Sequence, residues 1–252
     1  MKVILISYTK NCEQLIACSA KLCYSDATVA NLVDEETKND SAKFVRMLQN
    51  LGHESPLEHA NFTFGVEGVS RSCLAQITRH RIASFSVQSQ RYVAETDFTF
   101  VTPPEIENLE GCKNIFLDFV DNSKCTYNKL LEFLKKHHKK KLLQSGLTDK
   151  EAEKKAEKLS CEDARFVLPN ACCCKFIMTM NARSLLHFFK LRCCNRAQWE
   201  IRNLATKMLK LVLNVAPNVF KGAGPACVRG NCTEGRMSCG LMDEVRIKFN
   251  SL

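Results

Sequence analysis

At 252 residues, 45% of them hydrophobic, the chain is long enough to bury a full core and short enough to form one domain. No run approaches the roughly eighteen apolar residues that span a bilayer, and the opening MKVILISYTKNCEQ turns polar too soon for a secretory signal, so a cytoplasmic protein without membrane contact is expected. Fifteen cysteines in such a chain read as reduced thiols rather than a disulfide framework, and a net charge of +9 calls for anionic partners.

Val3 to Ser7 predicts a first strand, and Glu13 to Cys23 a helix carrying Leu15, Ile16, Ala20 and Leu22. A second helix is expected over Ser41 to Leu51, with Phe44, Val45 and Leu48 on one side and Gly52 placed to stop it. Phe62, Phe64 and Val66 then alternate with Asn61, Thr63 and Gly65, the pattern of a half-buried strand, and Val69, Cys73, Leu74 and Ile77 follow helical spacing. Immediately after comes RHRIASFSVQSQRY, which crowds Arg79, His80, Arg81, Ser89 and Arg91 into fourteen residues. Successive helix residues turn by about 100°, so Arg79-His80-Arg81 fans around a helix end toward separate parts of a large anion. A solvated charge run is the plain alternative, but the packed helix before it supplies a scaffold that can hold these side chains. A phosphorylated cofactor and a phosphorylated substrate meet that demand.

Asp97 to Val101 predicts a short strand ended by Pro103-Pro104. A long helix is expected from about Ile115 to Lys140, with Phe116, Phe119, Tyr127, Leu130, Leu131 and Leu134 at intervals of three and four. Residues 135 to 158 hold nine lysines against four acids, with Glu151 and Lys155 at supportive i,i+4 spacing, which reads as an exposed helical hairpin. No aromatic residue is interleaved there to stack on bases, so a nucleic-acid partner is not expected. The last major helix carries Ala197, Ile201, Leu204, Ala205, Met208, Leu211 and Val215, with Asn195 as its cap and Pro217 closing it. Few strands and several helices predict an α+β single domain over residues 1–220, with the lysine-rich helical insertion at about 135–160 and a Gly/Cys-rich tail over 221–252.

Cys172, Cys173, Cys174, Cys193 and Cys194 read as small buried apolar fillers. In the tail, Cys227, Cys232 and Cys239 leave two readings open: part of a zinc site, or a compact loop with buried thiols. The spacing lacks a CxxC pair and no nearby histidine completes four ligands, so no metal is assigned. Neither GxGxxG nor GxxxxGK[ST] occurs, so cofactor binding is not argued from a Rossmann fold.

Arg79-His80-Arg81, seven residues, then Ser89 resembles the signature of the flavin-dependent thymidylate synthases. GHESPLEHANFTF before it, and DARFVLPNA and NARSLLHFFKLRCCNRAQWEIR after it, are similar to that family's other blocks in the same order. The resemblance implies a central, largely antiparallel sheet flanked by helices, in a homotetramer with active sites at subunit interfaces. It implies reductive methylation of dUMP to dTMP, with methylenetetrahydrofolate as one-carbon donor and FAD, reduced by NADPH, as hydride carrier. The ordinary synthases attack the uracil ring with a cysteine carried by a Pro-Cys pair, and this chain has no such pair.

By the same resemblance, Arg192 polarises the uracil ring, and Gln76, Arg79, Val87, Gln88, Ser89, Gln90, Arg91 and Arg165 bind dUMP. The matching flavin contacts are Ser55, Arg79, His80, Arg81, Val87, Asn181, Arg183 and His187, while His53 and Arg81 lie toward the folate. A planar guanidinium that stays charged suits both ring polarisation and bidentate phosphate binding. The chain departs from the family pattern at Val87, where some members carry a polar side chain and only backbone remains to make a contact. His187 stands for an asparagine and Arg196 for a histidine, and both can still donate hydrogen bonds.

Overall fold

A computed structural model describes residues 1–38 and 41–252. The chain runs β1 (Lys2–Tyr8), α1 (Cys12–Leu22), α2 (Val29–Lys38), α3 (Ala42–Leu51), β2 (Asn61–Ser70), α4 (Arg71–Ile77), β3 (Ser84–Val87) and α5 (Pro104–Asn108). It continues through α6 (Glu110–Gln144), α7 (Asp149–Ala164), β4 (Cys173–Asn181), α8 (Ala182–Arg192), α9 (Trp199–Val215), α10 (Pro217–Phe220) and α11 (Met242–Asn250). The strands make one antiparallel sheet in the order β1-β2-β4-β3, and helices surround it, so the class is α+β as expected. Side chains set the register. Tyr8 stacks on Phe62, the Thr63 and Thr179 hydroxyls meet at 2.9 Å, and Phe85 meets Phe176 edge-on. At Gly65 in β2 a Cβ would come within 3.0 Å of the Ile4 side chain on β1, so Ile4 would have to shift to admit one.

Two compact units are resolved. The first holds residues 1–66, 76–86 and 176–252. Its core contains Ile16, Phe64, Leu185, Phe188 and Met208, with Phe220 edge-on to both Phe62 and Phe189. On α9 the buried stripe is Ile201, Leu204, Ala205, Met208, Leu209 and Val212, whereas Leu211 and Val215 are only half-buried. The expected Asn195 cap is not used. The helix begins at Trp199, and the Gln198 side chain accepts from the N–H groups of Glu200 and Ile201, while Asn195 lies too far upstream. Gly52 does end α3, in the left-handed conformation at φ 76°. In the tail, Val245 and Phe249 of α11 are buried, so this segment is an ordered element.

The second unit holds residues 67–75 and 87–175. Here α6 and α7 form the lysine-rich hairpin, turning at Gly146 with φ 90°. Ala152 and Ala156 are fully buried on α7, and such small side chains let the two helices approach closely. Lys135 pairs with Glu153, and Lys139 with both Asp149 and Glu153, so part of the charge run is answered within the hairpin. Glu151 works differently from the expected pairing with Lys155: it completes a capping box with Thr148. The long helix starts at Glu110 and buries Val120 and Tyr127, but Phe119 is 56% exposed. Asp97 to Val101 is not a strand. Only Phe100 bridges to Cys172, and Pro103-Pro104, which lack N–H donors, stop the ladder there.

β4 buries Cys174, Phe176, Met178 and Met180 on alternate positions. That alternation explains a correction to the cysteines. Cys172, Cys174 and Cys193 are buried, but Cys173 falls on the opposite face and is half-buried, as is Cys194.

Candidate active site

α4 ends at Ile77, yet Arg79 N donates to Gln76 O and His80 N to Ile77 O, winding the chain through one further turn. That turn separates the three side chains of Arg79-His80-Arg81 around the helix end. In the same unit the Asn181 side chain accepts from Ser184 N at 2.8 Å and starts α8. Arg183, His187 and Lys190 then follow at intervals of four and three along one face of that helix. Arg79, His80, Arg81, Arg183, His187 and Lys190 line one cavity of about 760 Å³, with Met180 and Leu186 adding apolar wall.

Glu54 and Glu58 also line this cavity and hold the Arg183 guanidinium between them. The sequence reading missed these two carboxylates and Lys190. Their i,i+4 spacing in GHESPLEH was available as a signal that they share a face. Ser55 and His53 are exposed on either side of Glu54 and do not line the cavity. Asn181 acts here as a helix cap, so its amide oxygen is already engaged.

The most informative contact joins the two arginine blocks. Arg192 Nε donates to His80 Nε2 at 3.0 Å, across 112 residues of sequence. The His80 ring stands edge-on to Phe188 with centroids 4.9 Å apart. Burial, then the charge of Arg192 and the neighbouring His187, push the His80 pKa down to about 4. At neutral pH His80 is therefore an uncharged acceptor that orients the Arg192 fork.

The second unit gathers the remaining candidates. Arg91 donates to Glu162 Oε2 at 2.9 Å, and Arg165 Nε to the Glu162 carbonyl at 3.1 Å, so one residue organises both arginines. Gln90 is buried and Gln88 N donates to Lys175 O, which fixes the chain just after Val87 at the end of β3. Ser89 Oγ accepts from Arg91 N, a local turn contact. A 240 Å³ hollow is lined by Arg71, Gln90, Arg165, Phe166 and Asn170. Gln76 belongs to the first unit, half-buried on the last turn of α4.

Cys227 is buried, Cys232 half-buried and Cys239 exposed. Burial raises the Cys227 pKa, and the Cys194, Cys232 and Cys239 thiols add to the effect. Among the described residues no group of three histidine, cysteine or carboxylate side chains is set to hold a metal ion. No helix among them is long and apolar enough to cross a membrane.

The chain is similar to known proteins over most of its length. A family model described as thymidylate synthase complementing protein matches residues 4–218. A flavin-dependent thymidylate synthase of Clostridium tetani is 51% identical over 246 residues, 98% of this chain and 96% of that protein. Proteins of the same name are 42% identical in Geobacter sulfurreducens, over 100% of this chain and 99% of that one, and 36% identical in Pyrococcus furiosus, over 100% and 98%.

Proposed function

Since the chain belongs to the thymidylate synthase complementing protein family, we propose that it reductively methylates dUMP to dTMP with methylenetetrahydrofolate, FAD and NADPH, without an enzyme cysteine as nucleophile. The protein is an enzyme of thymidylate synthesis. The observation that carries the finer reading is the convergence of the Arg79-His80-Arg81 turn and the Arg183 face of α8 on one cavity.

The donor set of that cavity fits a flavin dinucleotide. Arg79, Arg81 and Arg183 supply charged donors for a pyrophosphate, while Met180 and Leu186 supply apolar surface for a flat ring. Its volume falls within the usual range for small-molecule sites. When bound, FAD supplies the hydride that the methylation consumes. NADPH restores it.

Arg192 presents a charged fork to the uracil ring and stabilises the anion formed when the ring loses its N3 proton, and the delocalised charge of that anion raises electron density at the carbon to be alkylated. His80 holds that fork in place through its neutral nitrogen. Arg91 and Arg165 bind the dUMP phosphate. Glu162 aligns them before substrate arrives. No described cysteine lines the cavity, and burial holds the Cys172 and Cys193 thiols at about 12, which leaves them protonated at neutral pH. We propose a homotetramer with active sites at subunit interfaces.

The test is a visible spectrum of the protein supplied with FAD, followed without oxygen. NADPH is expected to bleach the flavin band, and dUMP with methylenetetrahydrofolate to restore it with formation of dTMP. A protein that takes up no flavin overturns the reading.

A further inference from the structure

Beside the main cavity, within the same unit, lies a second hollow of about 400 Å³ that shares Glu54, Leu186 and Lys190 with it. Its walls come from Leu57 and Leu186 on one side and from residues 222–233 on the other, beyond the segment that the family model matches. One part is apolar, formed by Leu57, Leu186, Ala223 and Pro225. Another part carries Arg229.

Arg229 differs from Arg91 and Arg183 in its partners. Arg91 and Arg183 pair with carboxylates, whereas Arg229 reaches only the Gln49 amide oxygen, at 3.4 Å from both terminal nitrogens. Among the described residues no carboxylate pairs with it. Arg229 is exposed at the rim of the hollow; its surroundings desolvate it in part and lower its pKa, and the guanidinium stays charged at neutral pH. A fixed cation with one long, neutral contact lacks an anion.

The tail is shaped to present that cation. Gly222 has φ 68°, and a Cβ there would come within 2.8 Å of Arg229 Nε, so the guanidinium lies against bare backbone. Gly224, at φ 146°, leaves equivalent room for the Phe249 ring of α11. From the same helix Arg246 donates to the carbonyls of Cys227 and Gly230, both at 2.9 Å, pinning the loop on either side of Arg229.

Resting on the reaction assigned above, we infer that this hollow binds the carboxylate-bearing tail of the one-carbon donor, with Arg229 as the carboxylate contact. A reduced folate has a bicyclic head, a flat aryl link and a terminal amino-acid dicarboxylate. The head must lie where the carbon is transferred, in the larger cavity. The aryl link then rests on the apolar wall and the carboxylate reaches Arg229. A flavin dinucleotide matches this hollow poorly, because its charge is central and its adenosine end is neutral.

The experiment compares methylenetetrahydrofolate with methylenetetrahydropteroate, which lacks the glutamate, in the native enzyme and in Arg229→Gln. The substitution is expected to raise KM for the folate about tenfold, leaving KM for dUMP and for the pteroate in place, with Arg229→Lys intermediate. An unchanged KM, or an equal rise for folate and pteroate, overturns the inference. Calorimetric binding of folic acid against pteroic acid reads the same contact without turnover. The native protein should favour folic acid about tenfold and Arg229→Gln should not, and equal affinities in the native protein also overturn it. A chain that makes no dTMP but still discriminates the two acids defeats the assigned reaction and leaves the Arg229 site standing.

Discussion

His80 and Arg192 lie in different blocks of the sequence, and their 3.0 Å contact makes one depend on the other. Because the folded His80 has a pKa near 4 against about 6.5 unfolded, the unfolded chain takes up the proton first as pH falls. The stability His80 contributes is therefore complete above about pH 6.5 and is lost progressively toward pH 4. Denaturant midpoints at pH 7 and pH 4.5 should fall further apart in the native protein than in His80→Gln, which keeps an acceptor but does not titrate. An equal spread would place the acid sensitivity elsewhere. Arg192→Ala is expected to keep fold and flavin yet lose dTMP formation by at least 100-fold, as for removal of other charge-stabilising donors. Retained turnover would sink the role assigned to it. Buried thiols held near 12 predict that Cys172 and Cys193 resist alkylation at pH 8 while exposed Cys23, Cys112 and Cys239 react, as peptide mass mapping would read.

Among the elements, the hairpin of α6 and α7 shows how local chemistry and packing divide the work. Thr148→Ala removes one side of the capping box and should cost about 1 kcal/mol in denaturant unfolding. Lys139→Gln, despite two ion pairs, should cost less than Thr148→Ala, because the partners are exposed and solvent screens them. A larger loss at Lys139 than at Thr148 would reverse that ranking. The helix Trp199–Val215 was legible because its apolar spacing is strong, whereas the strand Asn61–Ser70 was legible only as far as Val66: Val69, read with the helix that follows, lies in the strand, and the helix begins at Arg71. The strand Cys173–Asn181 was not, since Cys and Met lack the β-branching that marks strands. The segment Asp97 to Val101 has β-prone residues but too few free N–H groups beyond it to extend a ladder.

For the whole molecule, the sheet order β1-β2-β4-β3 pairs β2 with a strand that arrives only after β3, α5, α6 and α7. Such pairing is chosen by which faces bury together over a long loop, and no local period encodes it. The proposed tetramer predicts a solution mass near that of four 28.5 kDa chains by light scattering, and a stable monomer with full activity would rule it out. By itself the sequence pointed to the class of chemistry, because its arginine blocks resemble those of a known family in order and spacing. It also determined the strongest helices and the first two strands, because their periods are local. Only tertiary structure decided that neutral His80 orients Arg192, that Glu54 and Glu58 hold Arg183, and that Arg229 lies over Gly222 in a hollow of its own. The first two are contacts between residues distant in sequence, formed when packing brings the segments together, and the third needs the loop that packs around Gly222.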